Sequence, residues 1–195
     1  MKLQNLSLLV VLFIFTNCSS QNKSYNSSHQ VSTKDSSLSP GITSNDVNAQ
    51  FKEVLKAYME MKNALVNEDA NTASISGKAV MKAIDAMDMK SMNAKEHAVW
   101  MKYMENLSYD AEHIKGTSEI EHQREHFITL SSNLYQVVKV FNAHSENVYY
   151  QYCPMANDGK GAYWLSDQSK IRNPYFGKKM LSCGSTKETL PTAKQ

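Results

Sequence analysis

The sequence has no Gly-rich phosphate loop, no nucleophile elbow, no Cys-x-x-Cys redox pair and no Cys-x-x-Cys-His haem-attachment motif. These absences remove the sequence signatures of nucleotide binding, serine-hydrolase chemistry, dithiol redox catalysis and c-type haem. The expectation moves from an enzyme to a binding protein. Charge of one sign is also missing: 21 Lys and Arg against 19 Asp and Glu leave a formal net charge of +2. The basic residues lie among acidic ones, without a basic stripe or aromatic interleaving, so nucleic acid is not an expected partner. After the first residues, no apolar run is long enough to span a bilayer. Cysteine is scarce, with three in 195 residues.

What is present begins with an export signal over residues 1–17: Lys2 supplies positive charge, and Leu6 to Phe15 form a short apolar run. The run stops at Phe15-Thr16-Asn17-Cys18-Ser19-Ser20, which resembles a bacterial lipoprotein cleavage site, with Asn17 where a small residue is usual. Cys18 would then be the lipidated first residue of the mature protein, tying it to a membrane. Ser19 rather than Asp points to the periplasmic side of the outer membrane. Residues 18–45, rich in Ser, Asn, Gln, Lys and Thr, bury too little apolar surface to order themselves and read as a tether.

The folded domain is expected over residues 46–190. Phe51, Val54, Leu55, Tyr58, Met59, Ala64 and Leu65 recur at helical spacing and predict a helix to about Val66. A second stretch, with Ala73, Val80, Ala83, Ile84 and Met87, runs to about Met89, with Gly77 as a weak point. Asn93-Ala94-Lys95-Glu96 has the form of a capping box and opens a third helix, for which Gly116 is the stop. Ser118-Glu119-Ile120-Glu121 repeats the capping pattern before Phe127, Leu130, Leu134, Val137, Val138 and Phe141. Short connections between four helices imply a mainly α, up-and-down four-helix bundle. From Val148 the texture becomes β-rich, then rich in Gly, Pro and aromatics, so a small C-terminal β-hairpin and loop appendix is expected, with no ordered element after Thr189.

The appendix holds Cys153-x-Met155 and Met180-x-x-Cys183. In an extended segment Cys153 and Met155 share a face, and in a helical turn Met180 and Cys183 do. Folding one half on the other would bring four sulfurs together. Thiolate and thioether are soft ligands that suit copper(I), whereas zinc favours thiolate, imidazole and carboxylate. In an oxidising compartment the same two cysteines can instead form a disulfide, closing a loop of about thirty residues for ~3–4 kcal/mol. Both readings stay open on spacing alone.

Met59, Met87 and Met104 fall in apolar helical stripes and read as core, while Met89 and Met92, near a helix end, are the candidates for secondary metal binding. His122 and His126 lie four apart, on one helix face, where they can share a ligand. Gln123 stands where a zinc hydrolase of the His-Glu-x-x-His type has its base, which disfavours that chemistry. His97, His113 and His144 have no partner at ligand spacing in the sequence.

Ile120-Glu121-His122-Gln123-Arg124-Glu125-His126-Phe127, Tyr152-Cys153-Pro154-Met155-Ala156, Gly161-Ala162-Tyr163-Trp164-Leu165-Ser166 and Ile171-Arg172-Asn173-Pro174-Tyr175-Phe176-Gly177, with Met180-x-x-Cys183-Gly184, resemble a bacterial family. It is the domain-of-unknown-function family DUF3347, which occurs in exported lipoproteins and at the end of CusB-type heavy-metal efflux adaptors. The resemblance extends over about residues 47–188. It implies heavy-metal handling, of copper above all, with Cys153, Met155, Met180 and Cys183 at the matching positions and His126 as a further one. It also implies an efflux adaptor or another copper protein as partner. Zinc held by Cys153, Cys183, His122 and His126 is the alternative metal site, and a disulfide-stapled interaction module without metal is the alternative function.

Overall fold

Four amphipathic stretches form four helices: α1 (Ser44–Val66), α2 (Ala70–Asp85), α3 (Ala94–Lys115) and α4 (Ile120–Phe141). The computed structural model describes residues 44–141 and 143–192. The export signal, Cys18 and the tether up to residue 43 lie outside the described residues. Successive helices pack on one another, α1 on α2, α2 on α3 and α3 on α4, which is the up-and-down arrangement expected from the short loops. Among the described residues no helix is long and apolar enough to cross a membrane.

Local chemistry explains the helix ends. The Asn93 side chain accepts from the backbone of Lys95 and Glu96, and the Glu96 carboxylate accepts from the Asn93 N–H, so the capping box closes in both directions. Asp69 caps α2 by accepting from Thr72 N–H and Thr72 Oγ1. Helix α2 stops at Asp85, earlier than the apolar pattern suggests; Met87 is still buried, and a 3-10 turn at Met89–Ser91 carries the chain on. Helix α4 starts at Ile120, with Thr117 Oγ1 accepting from Glu119 N–H, while Glu121 is engaged by Arg124 instead of closing a second capping box.

Gly77 has a packing role. A Cβ there would stand 2.8 Å from Ala111 O and 2.9 Å from Lys115 N, so α2 and α3 touch backbone to backbone. The weak helix former is what allows this approach. Inside the bundle, Phe51 stacks on Phe141 with centroids 4.6 Å apart, and Tyr58 on Phe127 at 5.1 Å.

The appendix is a three-stranded antiparallel sheet of order β2-β1-β3: β1 (Val148–Cys153), β2 (Ala162–Ser166) and β3 (Ser185–Leu190). The third strand, absent from the sequence expectation, is a polar edge strand held by backbone pairing to β1, and it carries order to Leu190. The sheet is bolted to the bundle at Tyr58, whose hydroxyl lies 2.7 Å from Ser131 Oγ of α4 and accepts from Leu165 N–H of β2 at 3.0 Å. Tyr150 of β1 is stacked between Tyr135 of α4, at 3.8 Å, and Tyr163 of β2, at 4.7 Å. Trp164 is buried and Tyr163 lies in this stack, which makes both packing residues.

Candidate functional site

Strand β1 ends at Cys153, opposite Ala162 in the ladder. The chain then leaves the sheet in a run of turns closed by Gly161 N–H to Ala156 O, with Asn157 and Asp158 in left-handed conformation. Met155 therefore sits in a turn and not on the strand, and its side chain is 54% exposed. On the other side, a 3-10 turn at Gly177–Met180 leads to Cys183, whose N–H donates to Met180 O at 3.0 Å.

These two segments bring the thiols together: Cys153 Sγ and Cys183 Sγ are 2.8 Å apart. Cys153 is fully buried and Cys183 partly exposed, so the pair has a closed side and an open side. The Cys153 thiol, with partial burial, pushes the Cys183 thiol above its usual range, while the backbone N–H of Met155 pulls the other way. Two thiolates sharing one tetrahedral ion through bonds of ~2.3 Å stand ~3.8 Å apart. Bonded disulfide sulfurs stand ~2.05 Å apart. The observed spacing lies between the two, somewhat nearer the bonded distance.

The Cys183 segment is held by residues that the sequence motifs left without a role. Asn173, fully buried, donates through Nδ2 to Cys183 O at 2.9 Å and through its backbone N–H to Leu181 O at 2.8 Å. Its Oδ1 accepts from Tyr175 N–H at 2.8 Å. Arg124, buried on α4, donates through Nε to Pro174 O at 2.9 Å and also reaches Leu65 O and Glu121. Gly184 has φ +139, and a Cβ there would stand 2.8 Å from Tyr152 O and 2.9 Å from the Trp164 ring. A side chain at 184 would push the Cys183 segment away from β1.

Met155 lines a 240 Å³ groove with Ala156, Asn157 and Asp158 on one side and Glu121, Arg124, Glu125, Ile128, Tyr175 and Phe176 on the other. Met180 is partly exposed at the end of its turn. Met59 and Met87 are buried in the core and Met104 is packed against it, whereas Met89 is 41% exposed and Met92 is partly buried.

His122 and His126 face α3. His126 Nδ1 is 3.0 Å from Asp110 Oδ1, and the His126 ring lies 4.8 Å from that of His122 and 4.5 Å from that of His113. Among the described residues no three His, Cys, Asp or Glu side chains are already arranged to hold an ion, so the four-residue set of Cys153, Cys183, His122 and His126 is not assembled. His113, which has no partner at ligand spacing along the chain, gains one across the α3–α4 hairpin. The signal was available in principle. Antiparallel helices joined near residue 118 bring positions 113 and 122 opposite each other.

Residues 54–146 match the model of a family described as Protein of unknown function (DUF3347). The match runs from Val54, within α1, through α4 and ends before the sulfur-bearing appendix. No curated protein and no solved structure matches the chain.

Proposed function

We propose, on the match of residues 54–146 to the DUF3347 family, that this chain is a periplasmic copper(I)-binding lipoprotein that sequesters the ion or hands it to a heavy-metal efflux adaptor. In this reading Cys18 carries the lipid and the outer membrane holds the anchor. The observation that carries the proposal is the 2.8 Å approach of Cys153 and Cys183 at a partly exposed edge. Two thiols so placed, with a thioether in the adjoining turn, form a donor set for a soft monovalent ion.

Cys153 and Cys183 each lose a proton on binding and supply the strong bonds. Met155 and Met180 flank them as exchangeable thioethers, since a thioether ligates without deprotonation and leaves more readily than a thiolate. Exposed Met155 can give way to an incoming Met or Cys of a partner, which makes ligand exchange the route of transfer. X-ray absorption at the copper edge of the loaded, reduced chain tests the site. A shell of sulfur scatterers supports it, and a shell dominated by imidazole nitrogen overturns it.

The same proximity favours a second reading, in which Cys153 and Cys183 form a structural disulfide and the appendix is a docking surface. A bond between them would close a loop of about thirty residues and add ~3–4 kcal/mol of stability. Zinc at this pair would need ligands other than His126, which is paired with Asp110 of α3, and His122, which is paired with Glu125.

A further inference from the structure

We propose a second, sulfur-free metal site between α3 and α4, in which His113, His122 and His126 hold one zinc ion through their Nε2 atoms. Three imidazoles meet there, with centroids 4.5 Å apart for His113 and His126, 4.8 Å for His122 and His126, and 6.5 Å for His113 and His122. Rings bound to one tetrahedral ion by Nε2 at ~2.05 Å have centroids ~5.2 Å apart. Two of the three separations are within an ångström of that value, and the third closes by side-chain rotation. His122 is 46% exposed, so its rotation meets little resistance.

The second observation is what each Nδ1 does. His113 Nδ1 lies 3.0 Å from Tyr109 O, His122 Nδ1 lies 3.2 Å from Glu125 Oε2, and His126 Nδ1 lies 3.0 Å from Asp110 Oδ1. A carbonyl and two carboxylates only accept, so each neutral ring carries its proton on Nδ1 and keeps the Nε2 lone pair for a ligand. A backbone carbonyl or carboxylate behind each imidazole is the support that histidine-bound metals require, because it fixes the tautomer and raises the basicity of the ligand. Asp110 is itself held, since it is buried and its Oδ2 accepts from Thr129 Oγ1 at 2.7 Å. A shallow concavity lined by Glu112, His113, Gly116, Thr117 and His122 gives the site access to solvent and room for a fourth ligand.

As placed, the donors do not yet converge on one point; the ion would draw His122 and His113 together. Imidazole nitrogens of this kind suit zinc, while copper(I) goes to the thiols, so the two sites sort ions by softness.

The test is calorimetric titration of the full chain with zinc in the Cys153→Ser/Cys183→Ser background, which removes the sulfur pair from the measurement. One zinc ion should bind per chain. His113→Ala should weaken binding at least tenfold, Asp110→Asn by ~10–100-fold, and His97→Ala, at an exposed position elsewhere on α3, should leave it unchanged. Circular dichroism before titration shows that each variant is helical. The absence of zinc binding in the Cys153→Ser/Cys183→Ser chain, or equal binding with and without His113, overturns the site. Either result leaves the copper proposal standing, because the thiols take no part.

Discussion

Asn173 donates through Nδ2 to the carbonyl oxygen of Cys183 at 2.9 Å and thereby sets where the more exposed thiol stands relative to Cys153. The side chain is fully buried and serves two backbone groups, those of Cys183 and Tyr175, while the backbone N–H of Asn173 donates to Leu181 O. Asn173→Ala should leave both side-chain partners unsatisfied and cost ~1–3 kcal/mol in urea unfolding. It should also weaken metal binding at the thiol pair while the cysteines themselves are intact. The helical circular dichroism of the bundle should be unaffected under native conditions.

Gly77→Ala tests the backbone contact between α2 and α3. Alanine is the better helix former by ~1 kcal/mol in an open helix. Here its methyl would sit 2.8 Å from Ala111 O, so the crossing must widen. The expected result is a loss of ~1–3 kcal/mol, with the sign opposite to helix propensity.

Lys62 is buried and pairs with the partly exposed Asp167 at 2.8 Å. Burial pulls its ammonium below the usual lysine range, so the pair is weak support for the fold. Asp167→Asn removes the compensating charge and should destabilise by ~3 kcal/mol. Lys62→Met, which leaves only a solvated carboxylate behind, should be neutral or stabilising. The order of the two midpoints in denaturant checks this.

Alkaline pH should unfold the protein through its tyrosines. Burial pushes Tyr150 up to about 12, and raises Tyr58 and Tyr175 as well. A raised pKa means that the folded chain keeps phenolic protons which the unfolded chain loses near pH ~10. Their stabilisation is complete below that value and is lost as the pH climbs through 10 toward 12. Lys62 acts in the opposite direction but at lower pH, between its depressed folded value and the usual lysine range, so it does not offset the tyrosine decline above that range. The denaturation midpoint should therefore fall from pH 10 upward, and Tyr150→Phe should flatten the decline.

The helices were legible because their information is local: an apolar period and the capping box at Asn93 need no distant partner. The mainly α bundle with a small β appendix follows from that pattern. Strand β3 was not legible, since Ser185–Leu190 has no alternating apolar face and takes its order from pairing with β1. The approach of Cys153 to Cys183 follows the folding of one half-motif onto the other. Met155 departs from the extended geometry because the strand ends at Cys153. Asn173 and Arg124 act through hydrogen bonds to residues 10 and 50 positions away, which no spacing rule encodes. His113 stands isolated along the chain because its partners are on the next helix.

The proposed copper(I) site stands or falls on an anaerobic competition titration of the reduced chain against a chelator, run beside the Cys153→Ser/Cys183→Ser form. Tight binding of one copper(I) ion per chain, lost in the doubly substituted form while its helical signal persists, is the expected result. Weak binding that is equal in the two forms would contradict it and leave the two cysteines as a staple of the appendix.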